Sequence, residues 1–201
     1  IQSGLLNQSA AQIVDGSLRF ENDKENYLSR TYSSSGDRTK WSWSSWVKRN
    51  ELGRVQRIWN TVGGAGNDNN WFAIAFNAND ELFLGGYISI FRTTSAKFRD
   101  IGAWMNIVVH VDLNASTTMK VWVNGVEQTL SGSTDPSTTG INSALEHRLG
   151  METNNTTACS LQIANTYFID GQKLGPSYFG FTDPLTGTWR PKLLKDGDQA
   201  T

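Results

Sequence analysis

Apolar and polar residues alternate along several short stretches of this chain, most clearly over residues 41–49. Successive side chains of a strand point to opposite faces, so this spacing predicts a β-strand. One face would carry Trp41, Trp43, Ser45 and Val47, and the other Ser42, Ser44, Trp46 and Lys48. Trp46 then faces away from the two other tryptophans, which is typical of a strand covered on both faces.

A second alternation, over residues 104–130, contains the strongest turn signal in the chain. Residues 107–112 and 121–123 alternate on either side of a polar loop at residues 114–118. Asn124-Gly125 then predicts a type I′ turn, because this turn needs positive φ at both central residues. A returning strand is predicted at residues 126–130, which completes a hairpin.

Further short strands complete the pattern. They are predicted at residues 17–21, 27–32, 55–62, 71–76, 81–86, 87–92, 145–151 and 161–169, and a single helical turn at 174–181. No long helical periodicity occurs. About a dozen short strands at spacings of roughly 8–12 residues predict an all-β, two-sheet antiparallel β-sandwich.

Length and composition narrow the picture further. The 201 residues suit one domain, which we place at residues 16–192, between an N-terminal arm (1–15) and a polar C-terminal tail (193–201). With 18 basic and 19 acidic residues, no cationic excess favours nucleic acid. The sequence has no apolar run of about 18 residues, so no membrane insertion is expected. Cys159 is the single cysteine and is interpreted as a buried apolar residue.

No catalytic motif stands out. Glycosidases use two carboxyl groups flanking the scissile bond, and the strand at residues 107–112 offers only Asp112. His110 and His147 are the only histidines, and no Gly-x-Ser-x-Gly nucleophile elbow accompanies them. Both are interpreted as sheet histidines with hydrogen-bonded rings. The prediction is a protein without enzymatic activity.

The best candidate for a glycan site is the polar loop at residues 63–70 and the tryptophans beside it. Amide and carboxylate groups there can bind sugar hydroxyls, and an indole ring can stack on a pyranose face. The candidate residues are Trp59, Asn67, Asp68, Asn69, Asn70 and Trp71. The alternative interpretation is a solvated loop beside two core tryptophans.

Many segments, in one order, carry a family resemblance. They are Ser17-Leu18-Arg19-Phe20, Tyr27-Leu28-Ser29-Arg30-Thr31, Trp43-Ser44-Ser45-Trp46-Val47-Lys48-Arg49, Leu52-Gly53, Phe98-Arg99-Asp100, Ala103-Trp104, Ile107-Val108-Val109-His110-Val111-Asp112, Val121-Trp122-Val123-Asn124-Gly125, His147-Arg148-Leu149-Gly150, Phe168-Ile169-Asp170-Gly171-Gln172, Ser177-Tyr178-Phe179-Gly180 and Gly187-Thr188-Trp189-Arg190-Pro191-Lys192. Together they resemble the laminin-G-like group of the concanavalin A-like jelly-roll superfamily, as found in structural proteins of tailed phages, particularly phages of marine bacteria. Residues 160–165 depart from the acidic pattern that relatives show there.

This resemblance implies a jelly-roll domain on the surface of a phage particle, in a tail fibre, spike or head decoration. It implies a homo-oligomer whose partner is a host surface glycan or other virion proteins. We expect a carbohydrate-binding attachment module. The alternatives are a purely structural assembly module of the virion and, with less support, a glycoside hydrolase.

Proteins of this fold often bind calcium, a hard cation that takes carboxylate and carbonyl oxygens as ligands. The candidate ligands are Asp68, Asp80 and Asp112, at loops or strand ends. None of them has a diagnostic spacing.

Overall fold

The structure, a computed structural model, describes residues 12–61, 71–86, 90–132, 139–152 and 157–194. These residues form fifteen strands and one short 3-10 helix, Pro176–Tyr178. The strands are β1 (Leu18–Phe20), β2 (Leu28–Thr31), β3 (Lys40–Arg49), β4 (Gln56–Thr61), β5 (Ala73–Phe76), β6 (Glu81–Gly85), β7 (Ile90–Lys97), β8 (Met105–Asp112), β9 (Met119–Val123), β10 (Val126–Glu127), β11 (Leu130–Ser131), β12 (Glu146–Leu149), β13 (Leu161–Asp170), β14 (Gly180–Thr182) and β15 (Trp189–Pro191).

Two large antiparallel sheets make up the fold, which confirms the predicted class. One has six strands in the order β1-β13-β3-β8-β9-β10, and the other has seven in the order β11-β7-β6-β5-β4-β12-β2. A third, two-stranded sheet joins β14 and β15. Within the described residues, no helix is long and apolar enough to cross a membrane.

Strand β3 is central to the six-stranded sheet, between β13 and β8. As the alternation predicted, Trp41, Trp43 and Val47 point into the core between the sheets. The Trp43 ring stacks on Trp59 of the opposite sheet, with centroids 6.1 Å apart and planes inclined by 10°. Trp46 belongs to the other face and is only half-buried. The core therefore depends on indole rings from both sheets.

The predicted turn at Asn124-Gly125 is confirmed, with φ of 50° and 78°. The single returning strand predicted at residues 126–130 is wrong. Strand β10 pairs with β9 in the six-stranded sheet, whereas β11 pairs with β7 in the seven-stranded sheet. The chain passes from one sheet to the other here, and Leu130 packs against the core between them.

The C-terminal part of the chain covers much of the outer face of the six-stranded sheet. Leu174 and Phe179 pack on Val108 and Trp122, so Trp122 is covered by its own chain rather than by the second sheet. The predicted helical turn is confirmed as the 3-10 helix, but β14 and β15 were not predicted. Trp189 fixes this hairpin, because its indole Nε1 donates to Asn106 Oδ1 at 3.1 Å.

Candidate functional site

The two tryptophans proposed for sugar stacking both lie in packed surroundings. Trp59 is 5% exposed, with its ring between Trp43 and Phe168. Trp71 is also 5% exposed, and the Arg57 guanidinium lies 4.6 Å from its ring centre. The alternative interpretation as core tryptophans describes these two rings. Asn67, Asp68, Asn69 and Asn70 lie outside the described residues.

The carboxylate of Asp80, a candidate calcium ligand, serves protein cations instead. It contacts Arg49 at 3.0 Å and Arg99 at 3.1 Å, and it accepts a hydrogen bond from Gly53 N at 2.8 Å. Burial raises the pKa of Asp80, but these hydrogen bonds outweigh it, so the pKa lies below its usual value. The result is a buried ion pair that ties β3 to the loop before β6.

Asp112, the second candidate ligand in the described part, likewise faces a protein cation, Lys173, at 3.1 Å. Asn114 N also donates to its Oδ1 at 3.3 Å. Across the described ranges, no three His, Cys, Asp or Glu side chains form a group that could hold a metal ion. Asp68, the third candidate, lies outside those ranges.

The outer face of the seven-stranded sheet carries an arginine between aromatic rings. The guanidinium of Arg57 lies 4.6 Å from the ring centre of Trp71 and 5.3 Å from that of Phe83. Glu152 approaches it at 3.9 Å. Burial lowers the pKa of Arg57, and the Glu152 charge opposes that shift. Because Trp71 and Phe83 are both below 10% exposed, this cluster is packed rather than open to a ligand.

An open groove of about 450 Å³ crosses the outer face of the six-stranded sheet. Two half-buried tryptophans contribute to it from different elements, Trp46 from β3 and Trp104 from just before β8. Trp46 pairs across the strands with Ala164, and these two residues share the outward face. The full lining is Val14, Gly16, Ser17, Trp46, Trp104, Gln162, Ala164 and Pro191. We name this site the Trp46–Trp104 groove.

The segment before β1 forms one wall of the groove and is held at its start. Gln12 N donates to Pro191 O at 2.9 Å, and Asn165 Nδ2 donates to Gln12 Oε1 at 2.8 Å. Asn165 lies at an irregularity of β13 and has φ of 51°. Ser17 Oγ lies 3.5 Å from Gln162 Oε1, at the limit of a hydrogen bond. Gln162 Nε2 also donates to Asn50 Oδ1 at 3.4 Å, so both contacts of this amide within the protein are long ones.

The alternation of β3 predicted the outward direction of one groove residue, and the other groove residues were not predicted. That residue, Trp46, was predicted to face away from the main core. No local pattern links it to Trp104 or to Val14 and Ser17, which reach the same place through long-range pairing. The N-terminal arm was interpreted as a separate segment, but its residue Val14 lines the groove, and Gln12 is hydrogen-bonded to the lining residue Pro191.

Neither histidine is placed as a catalytic base. Asn142 N donates to His147 Nε2 at 2.9 Å, and Nδ1 donates to Leu145 O at 2.9 Å, which defines a neutral ring. Burial lowers the pKa of His147 to about 4. His110 packs edge-on against Trp122, and burial lowers its pKa to about 4 as well. The hydrogen-bonded ring predicted for both is found in His147, whereas His110 Nδ1 is buried with no hydrogen-bond partner.

The single cysteine behaves as its sequence context suggested. Cys159 is fully buried and belongs to the main core between the sheets. Burial raises the pKa of its thiol, which keeps it protonated and a poor nucleophile.

The architecture is that of a two-sheet antiparallel sandwich with an aromatic groove on one outer face. The chain belongs to the concanavalin A-like lectin/glucanase superfamily, whose laminin-G-type family model matches residues 21–172. No curated protein matches the chain.

Solved structures share this fold at low sequence identity. A heptameric SAP-like pentraxin from Limulus polyphemus has a TM-score of 0.52 at 10% identity, over 76% of this chain and 73% of its own. The binding domain of Paraclostridial Mosquitocidal Protein 1 has a TM-score of 0.57 at 15% identity, over 85% and 44%. Domain 4 of the arabinanase AbnA from Geobacillus stearothermophilus, in complex with arabinotriose, has a TM-score of 0.50 at 22% identity, over 70% and 65%. The chain thus spans less than two thirds of the last two structures.

Proposed function

We propose that this protein is a carbohydrate-binding module and that its ligand occupies the Trp46–Trp104 groove. The observation that carries the proposal is the pair of half-buried indole rings in one open groove. Indole faces pack on the apolar faces of sugar rings, and the Gln162 amide and Ser17 hydroxyl are suited to sugar hydroxyls. The groove volume lies within the range of about 300–1,000 Å³ that is typical of ligand sites.

Two solved structures with a similar fold also support a binding function. The arabinanase domain is described in complex with arabinotriose, and the mosquitocidal protein segment is described as a binding domain. At 22% and 15% sequence identity, these two structures support the fold alone. The choice of binding site rests on the groove.

The test is to remove one of the two indole rings. We expect Trp104→Ala to weaken binding of the recognised glycan by at least about tenfold, because one stacking surface is lost. A glycan array identifies the oligosaccharides that the purified protein binds. Isothermal titration calorimetry with these oligosaccharides then gives the affinity. Val126→Ala is the control, since Val126 is exposed on β10, at the edge of the sheet opposite to β1. Unchanged affinity in Trp104→Ala would move the ligand elsewhere.

The proposal includes no catalytic activity, and the pairing of the acidic side chains supports this part. Glu146 faces Arg148 at 2.9 Å, and Glu152 faces Arg57 at 3.9 Å. A glycosidase needs one carboxyl group to donate a proton and another to attack or to activate water. Release of reducing sugar from the bound glycan, abolished by a single Glu or Asp substitution, would refute this part.

We further propose that the module acts on the surface of a phage particle, as an attachment protein. This part is supported by the sequence resemblance alone. Mass spectrometry of purified particles, with antibody labelling of the intact surface, tests it. Absence of the protein from particles would leave glycan binding in place and reject the location.

A structural role in assembly is the second candidate, because one edge of the sandwich carries an exposed aliphatic groove. It has about 500 Å³ and includes Leu18, Leu28, Leu149 and Ile163, between the edge strands of the two sheets. Leu18 is 50% exposed and Leu28 49%. If this face assembles, Leu28→Ser should reduce self-association or virion incorporation without changing glycan affinity. Sedimentation velocity measures the first effect.

A further inference from the structure

We infer that the ligand of the Trp46–Trp104 groove is an acidic glycan, whose carboxylate, sulfate or phosphate pairs with Lys48. This inference rests on the proposed function and names the substrate class of the same site. It is carried by the position of one lysine beside two groove residues and by its lack of an ion pair within the described part of the chain.

The strand registers place Lys48 beside the groove. Lys48 lies two residues after Trp46 on β3, so both side chains leave the same outer face. Gln162 is its direct partner on β13, which sets their Cα atoms about 5 Å apart. On the other side, Met105 pairs with Val47, so Trp104 lies at the end of the ladder nearest Lys48. Lys48 is thus flanked by two lining residues, Gln162 and Trp104.

Several lysines of the chain face carboxylates, as Lys173 faces Asp112 at 3.1 Å and Lys120 faces Glu127 at 3.0 Å. Lys48 forms no ion pair within the described part of the chain. Its half-buried state is typical of a lysine whose apolar stem follows the surface and whose ammonium reaches solvent.

A second cation, Arg19, lies in line with Lys48 and Gln162 across the strands of this sheet. Arg19 of β1 pairs with Gln162 from the side opposite to Lys48. Its guanidinium is held by Glu21 at 2.9 Å, so it adds little net charge. Among the described residues, Lys48 is therefore a cation without an ion pair next to the indole rings. Lys40, at the far end of β3, also forms none, and the exposed Asp15 lies between the lining residues Val14 and Gly16.

These positions fit a sugar ring that stacks on an indole while an acidic substituent reaches the ammonium group. Lysine carries a compact charge with three rotatable donors, so it accepts a carboxylate, sulfate or phosphate without a fixed geometry. A neutral glycan would gain only an ordinary hydrogen bond from the same group, and charge-assisted bonds are roughly twice as strong. Acidic chains should accordingly be preferred over neutral ones of equal length.

The experiment uses the full chain and three probes: alginate oligosaccharides for carboxylates, carrageenan oligosaccharides for sulfates, and laminarin oligosaccharides as the neutral reference. Affinities are measured by titration calorimetry at about 50 and about 300 mM NaCl, which span short and long screening lengths. We expect an acidic probe to bind best and to weaken severalfold at the higher salt. Lys48→Gln should lose about tenfold in affinity and most of the salt dependence, whereas Lys48→Arg should keep both.

Lys24→Gln is the matched control, because Lys24 is exposed and faces Asp23 at 3.3 Å. Equal affinity for acidic and neutral probes, or acidic binding unchanged in Lys48→Gln, would overturn the inference. If Trp104→Ala still abolished that binding, the proposed function would stand. Binding that Trp104→Ala leaves intact would reject the groove itself, so the two failures are distinguishable.

Discussion

A neutral histidine held between two backbone groups makes the fold sensitive to mild acid. Burial lowers the pKa of His147 to about 4, while the unfolded chain titrates near 6.5. The unfolded state therefore binds a proton first, and stability falls as the pH drops from about 6.5 to about 4, then stops changing through this group. We expect a loss of up to about 3 kcal/mol per such histidine. Urea unfolding at several pH values measures it.

The control separates the histidines from the carboxylates. His147→Gln should be less stable at neutral pH but show a shallower decline between pH 6.5 and 4, and His110→Gln should remove a similar part. Asp80 and Asp112 have pKa values below their usual one, so their stabilisation is lost only at lower pH. An unchanged slope in both histidine variants would contradict the explanation.

At the scale of elements, the hairpin turn between β9 and β10 is also a packing site for the C-terminal hairpin. Gly125 has φ of 78°, and a Cβ there would lie 2.4 Å from the Trp189 ring. Gly125→Ala should lower the free energy of unfolding by about 2–4 kcal/mol, from a left-handed backbone and a displaced ring together. Guanidinium denaturation followed by tryptophan fluorescence gives the difference.

Gly171→Ala provides the matched comparison. Gly171 has φ of 71°, but a Cβ there would meet nothing within 4 Å. Its cost should be only the backbone part, about 1–2 kcal/mol. If both variants lost the same stability, Trp189 would not anchor the C-terminal hairpin through Gly125.

Local sequence predicts an element when the pattern that specifies it, such as an alternation or a turn pair, lies within the element itself. Alternation placed β3 and β8 with their faces, and the Asn124-Gly125 pair placed the turn. The division of residues 126–131 between two sheets could not be read, since only distant partners, β9 and β7, decide it. The β14–β15 hairpin was missed for a similar reason. Each of these two strands has only three residues, and the hairpin is held by the Trp189 ring, which packs over Gly180.

At the scale of the whole molecule, the candidate site shows the same limit. The outward direction of Trp46 followed from β3 alone. Its partners come from residue 104, from the segment before β1 and from β13, which only the folded sheet brings together. The sequence could also not separate core tryptophans from sugar-stacking ones. Trp59 has the same local context in either role, and its burial is decided by the opposite sheet.

Two tryptophan substitutions should therefore have opposite effects. Trp59 packs on Trp43 across the two sheets, so Trp59→Leu should cost about 2–4 kcal/mol of unfolding free energy through lost contacts and a cavity. Because both sheets share this core, we expect one shifted cooperative transition. Glycan affinity of the folded variant should stay within about twofold. Denaturation and titration calorimetry on the same preparation measure both quantities.

Trp104→Ala should show the reverse, with lost affinity and nearly unchanged stability, because Trp104 is half-buried on an outer face. The contrast distinguishes the groove from the site predicted at Trp59, Trp71 and the loop of residues 63–70. If folded Trp59→Leu lost glycan binding while Trp104→Ala kept it, the ligand would lie at that loop, and the outer face of the six-stranded sheet would instead serve packing of the terminal segments.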